Sequence, residues 1–118
     1  MQFDALTVVT LLRPDSAPEL SDAEEDALQD AHMTFLAEGH ERGDILAAGP
    51  LLEQDDPRVR GFAVYAKDPQ AARELAEQDP KVRAGLFELS ISVWMVPSGA
   101  IGFTPSRFPR SMREVGEG

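Results

Sequence analysis

Two different periods of apolar residues run along this chain. "ALTVVTLL", Ala5 to Leu12, is dense in β-branched residues and stops at "RPDSAP", which predicts a strand followed by a proline-punctuated loop. From "LSDAEEDALQDAHMTFLAEGHERG" the period lengthens to that of a helix. Ser21 or Asp22 can cap it, acids crowd its first turn, where the helix dipole favours them, and Gly43 is a plausible stop. The predicted helix spans about Asp22 to Arg42. "DILAAGPLL" reads as a second strand, and Gly49-Pro50 places a strand end or sheet edge late in it, because proline cannot donate to a ladder. "VRGFAVYA" reads as a third strand, in a hairpin with the second. "DPQAARELAEQ" begins with an Asp-Pro cap and carries Ala and Leu at helical spacing. "DPKVRAG" repeats the Asp-Pro start and predicts one further short turn, and "LFELSISVWMV" is the last strand.

The resulting order, β-α-β-β-α-β, predicts an α+β fold of the ferredoxin-like kind: a four-stranded antiparallel sheet with both helices on one face. Alternation in the last strand puts Phe87, Leu89, Ile91, Val93 and Met95 on one face, expected to meet the helices. Glu88, Ser90, Ser92 and Trp94 fall on the other. The first strand is mixed on both sides. A sheet face with apolar patches and scattered polar groups suits a partner or a pocket, so a homodimer paired through sheet faces, with a cleft for a small molecule, is expected. From Pro97 the chain turns rich in Pro, Gly and Ser. Residues 1–96 therefore read as one domain and 97–118 as an irregular extension, part of which docks through Phe103 and Phe108.

Composition narrows the function. The chain has 118 residues, enough for one core, and a formal net charge of -10, which disfavours nucleic acid and anionic membrane surfaces as partners. It contains no cysteine, so disulfides, thiolate metal sites and cysteine nucleophiles are excluded. No apolar run nears the roughly 18 residues of a membrane span. The apolar N-terminal run lacks a basic leader and reads as a strand rather than a signal peptide, so a cytoplasmic location is expected.

The candidate chemistry centres on one histidine. On a helical wheel His32 falls inside the apolar sector of Leu28, Phe35 and Gly39, whereas His40 lies at its edge and is expected to reach solvent. Spacing alone favours a core histidine held by one or two hydrogen bonds. The alternative is a general acid or base, for which imidazole is suited by an unperturbed pKa of about 6.5. Such a base needs an orienting partner. Asp79 is a candidate, but Asp56 and Asp68 carry the same Asp-Pro dipeptide, an ordinary helix cap, and spacing does not choose among them. A shared metal is disfavoured, since His32 and His40 stand about 12 Å apart along the helix. No Gly-x-Ser-x-Gly elbow, Gly-x-Gly-x-x-Gly or P-loop occurs, and no cofactor is expected.

The stretches "AHMTFLAEGHERGDILAAGPLLEQDD" and "RGFAVYAKDPQAARELAEQDPKVRAGLFELSISVW" closely resemble the YciI-like (YCII-related) proteins. The shared frame is a helix histidine, a Gly and strand, Gly-Pro-Leu, a hairpin, a helix, Asp-Pro with Ala-Gly, and a final strand ending in Trp. It runs from about Ala5 to Val96, leaving out the "RPDSAPEL" loop and the tail. The resemblance implies a ferredoxin-like subunit that pairs as in the dimeric α/β-barrel proteins, of which muconolactone isomerase is a structural relative. It also implies an active-site histidine and aspartate, which fall at His32 and Asp79. The wider group includes enzymes acting on small cyclic compounds, among them a dehydrochlorinase of aromatic breakdown. The expected function is therefore that of a cofactor-independent lyase or isomerase moving a proton on a small cyclic oxygenated substrate. Gly49, Pro50, Ser90, Ser92 and Trp94 would help line the site, and Arg13 or Arg60 would meet an anionic oxygen. A non-catalytic binding or accessory dimer on the same fold is the alternative.

Overall fold

The computed structural model describes residues 1–117, and its strands pair as the alternation requires. Strand β1 (Phe3–Leu12) leads through a loop to α1 (Asp22–Glu41), then β2 (Ile45–Pro50), β3 (Val59–Tyr65), α2 (Pro69–Ala76), the single turn α3 (Pro80–Arg83), β4 (Glu88–Pro97) and the terminal helix α4 (Met112–Glu117). The sheet order is β2-β3-β1-β4, with every pair antiparallel. This is the predicted ferredoxin-like topology.

The boundaries follow local chemistry. Ser21 and Glu24 form a reciprocal capping box on α1, which satisfies donors that the first turn leaves free. Gly43, at φ 84°, ends the same helix in the left-handed conformation that a side chain disfavours. Asp68 caps α2 by accepting from the Ala71 amide.

Thr7, Val9 and Leu11 of β1 face the helices beside Ile45, Ala63 and Tyr65, and Ala72 and Ala76 of α2 seal this core. Small residues let layers approach: a Cβ on Gly39 of α1 would stand 2.6 Å from Ile45 Cδ1. On β4, Phe87 at its entry, Leu89 and Ile91 pack on the core as expected. Val93 and Met95 do not; they are 51% and 55% exposed. Their side of the strand is the predicted one, but a ten-residue strand is roughly 33 Å long and an eight-residue helix about 12 Å, so β4 runs past its cover. Among the described residues no helix is long and apolar enough to cross a membrane.

Candidate functional site

Helix α1 aims His32 at the turn between α2 and β4. The Asp79-Pro80 dipeptide starts α3, and the Asp79 carboxylate divides its two oxygens between two tasks. Oδ1 caps α3 by accepting from the Lys81 amide at 3.0 Å. Oδ2 lies 2.6 Å from His32 Nδ1. Both residues are buried, at 8% exposure for His32 and 2% for Asp79. A carboxylate only accepts, so Nδ1 carries a proton, and the neutral ring presents its lone pair at Nε2. Phe87 meets the imidazole edge-on, with centroids 5.6 Å apart, and limits its tilt.

Among the described residues Nε2 has no hydrogen-bond partner, and no side-chain nitrogen or oxygen is both sealed and unpaired. Nε2 therefore opens onto accessible space. That space is a cavity of about 850 Å³ between α1, the upper sheet, the 51–54 loop and the tail, and His32 forms part of its wall. Leu11, Met33, Leu36, Phe87 and Phe108 make much of the wall apolar. The volume lies within the usual range for a small-molecule pocket, about 300–1,000 Å³.

Of the other residues singled out in the sequence, Arg13, Gly49, Pro50 and Arg60 border this cavity. Arg13 pairs with Glu25 at 3.5 Å, and Arg60 donates from Nε to the Pro57 carbonyl at 2.7 Å. Ser90, Ser92 and Trp94 are not brought to His32. They are exposed on the sheet face away from the helices, opposite Thr10, Val8 and Leu6 of β1. Side chains on opposite faces of one sheet do not line the same cavity, so these three leave the site. Asp56 and Asp68 stay local: Asp56 binds Arg58, whose side chain holds its carboxyl below the usual range, and Asp68 caps α2. Among the described residues no cluster of three or more metal-ligating side chains occurs.

Two contributors escaped the sequence reading. The first is Lys81, whose half-buried side chain lines the cavity, donates from Nζ to Gln29 Oε1 and sits 4.9 Å above the centre of the Phe87 ring. Burial lowers its pKa, and the nearby Asp79 charge acts against that shift. The available signal was its place two residues after the capping aspartate. The second is the tail, which folds back along α1 of its own chain. The Phe108 ring stacks on His40 at 3.9 Å, the Ser106 amide donates to His40 Nε2 at 3.0 Å, and Arg110 meets Glu41 at 2.7 Å. His40 thus does not reach for solvent as expected; its Nδ1 also bonds the Ile45 carbonyl at 2.8 Å. Phe108, Pro109, Met112 and Val115 complete one side of the cavity.

The YCII-related domain matches residues 7–95. Among solved structures, 5-chloro-2-hydroxyhydroquinone dehydrochlorinase from Burkholderia phenoliruptrix AC1100, in complex with 2,5-dihydroxybenzoquinone, is similar at a TM-score of 0.55 and 19% identity. The match covers 75% of this chain and 92% of that one. At that identity the likeness shows the fold. No curated protein matches the chain.

Proposed function

As the chain belongs to the YCII-related domain family, we propose that it is a lyase or isomerase that moves a proton on a small cyclic oxygenated substrate. One observation carries this reading: a histidine tied to a buried aspartate through Nδ1 holds its other nitrogen open to a pocket. This is the arrangement that general base catalysis needs, a base with a fixed tautomer and an orienting partner.

His32 Nε2 takes a proton from a ring carbon or hydroxyl, and the electron pair moves toward a ring oxygen. The imidazolium that forms is stabilised by Asp79 at 2.6 Å. In an isomerisation the proton returns at another ring atom. In an elimination a leaving group departs with its bonding pair, and the proton passes to solvent. The dehydrochlorinase of the same fold makes elimination from a hydroxylated ring the first reaction to assay. The apolar wall excludes water around the ring, and Arg13 and Arg60 sit where they can meet a substrate oxygen. A second copy of the chain is proposed to cover the open sheet face, where Trp94 is 44% exposed.

The test is turnover of a panel of chlorinated and hydroxylated ring compounds and lactones by wild type and His32→Ala. The variant is expected to lose at least about 100-fold in kcat. An unchanged rate overturns the assignment.

A further inference from the structure

We propose that Lys81 is the anion-recognition group of this cavity, and that the site selects small rings bearing an ionised oxygen: a ring carboxylate, phenolate or enolate. The inference rests on the His32 pocket being a ligand site, and it names the ligand's charge.

The chain holds 21 acidic residues against 11 basic ones, so a half-buried lysine that pairs with no carboxylate stands out. Arg13, Arg42, Arg58, Lys67, Arg107, Arg110 and Arg113 all form ion pairs, but Lys81 forms none among the described residues. Arg60, Arg73 and Arg83 also stand outside these pairs, and all three are exposed. Lys81 is half-buried and reaches into the cavity wall.

Glu25, Asp26 and Glu53 also border the cavity, with Arg13 and Arg60, but none of these carboxylates pairs with Lys81 among the described residues. An ammonium has three N–H donors; Gln29 Oε1 takes one, and the Phe87 ring offers its electron-rich face. Neither neutralises the charge. Asp79, the acid that acts most strongly on the Lys81 charge, has both oxygens engaged, one by the Lys81 amide and one by His32. An incoming oxygen anion would supply the missing charge and regain what burial of the ammonium costs.

The placement also relates recognition to chemistry. Lys81 and His32 both border Phe87, and Gln29 lies one helical turn before His32 on α1. A ring resting on Phe87 with its anionic oxygen at Lys81 Nζ would turn an adjoining edge toward His32 Nε2. Charge that gathers on that oxygen as the proton leaves would be stabilised by the same ammonium.

The test is binding, measured by calorimetry at pH 7, of 2,5-dihydroxybenzoate and of its uncharged methyl ester. Wild type is expected to prefer the acid by about tenfold or more. Lys81→Met should cut that preference to within about threefold while leaving ester affinity within about twofold, which also shows that the variant is folded. Lys81→Arg should retain the preference. His32→Ala should retain it too, so loss of turnover in that variant and loss of anion selection in Lys81→Met report on separate claims. Equal affinity for acid and ester in wild type, no binding of either, or an undiminished preference in Lys81→Met overturns the proposal.

Discussion

Asp79→Asn changes one atom of the site and inverts its hydrogen bonding. The wild-type carboxylate accepts twice, from the Lys81 amide at 3.0 Å and from His32 Nδ1 at 2.6 Å. Asparagine has one acceptor oxygen and one NH₂ donor. If its oxygen keeps the cap on α3, its NH₂ faces His32, and Nδ1 must become the acceptor. The proton then moves to Nε2, and the cavity meets a donor where it had a base. The opposite amide orientation sets NH₂ against the Lys81 N–H, leaving a buried donor unpaired at a cost of about 1–3 kcal/mol, so the cap-keeping orientation wins. Asparagine is a good cap in its own right. The stability loss is then the difference between a charge-assisted bond and a neutral one, about 1–2 kcal/mol. For a domain of this size that corresponds to roughly 3–8 °C in Tm. Catalysis loses far more, on the order of 10²–10⁴ in kcat, because the ring is held in the wrong tautomer. Nitrogen-15 NMR of the imidazole reads the tautomer directly and needs no substrate. The expected result is a proton on Nδ1 in wild type and on Nε2 in the variant. A variant that keeps its proton on Nδ1, or a neutral wild-type ring protonated at Nε2, refutes the reasoning.

Three further outcomes are expected. Phe108→Ala removes the ring stacked on His40 and should cost about 1–2 kcal/mol; the Ser106 and Met112 amides, which bond His40 and Asp30, should then exchange hydrogen faster, and unchanged protection would show that the tail is held without this stack. Gly61→Ala places a Cβ 2.8 Å from the Gly49 carbonyl oxygen, so the β2–β3 pair must shift; urea unfolding should show a loss of about 1–3 kcal/mol, and stability within about 0.5 kcal/mol of wild type would contradict the packing. Because burial lowers the Lys81 pKa, the ammonium is lost at a lower pH than the usual value of about 10.4. Affinity for benzoate should therefore fall as pH rises toward that value while that for methyl benzoate, which has no ionisable group, stays flat, and a titration in which both fall together would assign the effect elsewhere. The sign for folding is opposite: between the lowered native pKa and the ordinary one the unfolded chain binds more protons, so the Lys81 contribution to stability rises with pH.

The fold was legible because its signals are local and repeated. The acids in the first turn of α1, the Asp-Pro starts and the alternation of Phe87, Leu89 and Ile91 each act within a few residues, and all agree on one topology. The inward aim of His32 was legible for the same reason. Its partner was not, because Asp56, Asp68 and Asp79 share one dipeptide and each makes a local bond to a main-chain amide. Only Asp79 brings its second oxygen to His32, 47 residues away, because α3 packs against α1. No periodicity carries that contact; it entered through the family resemblance.

Ser90, Ser92 and Trp94 show a different limit. Alternation places them correctly, on the face opposite Ile91, yet a site drawn around a helix histidine has no room for that face. The period of two says which residues share a side, and the helices decide which side holds the cavity. Both constraints together exclude these residues and point to the ends of elements on the helix side. There the chain keeps Lys81, two positions beyond the aspartate that orients His32. Because Asp79 caps α3 with one oxygen and holds His32 with the other, the same turn sets the base and delivers the cation beside it. On the proposed reading, recognition and proton transfer in this cavity thus depend on one four-residue helix. A substitution that loosens its cap should disturb both the tautomer of His32 and the placement of Lys81, whereas Lys81→Met should leave the His32 tautomer as it is.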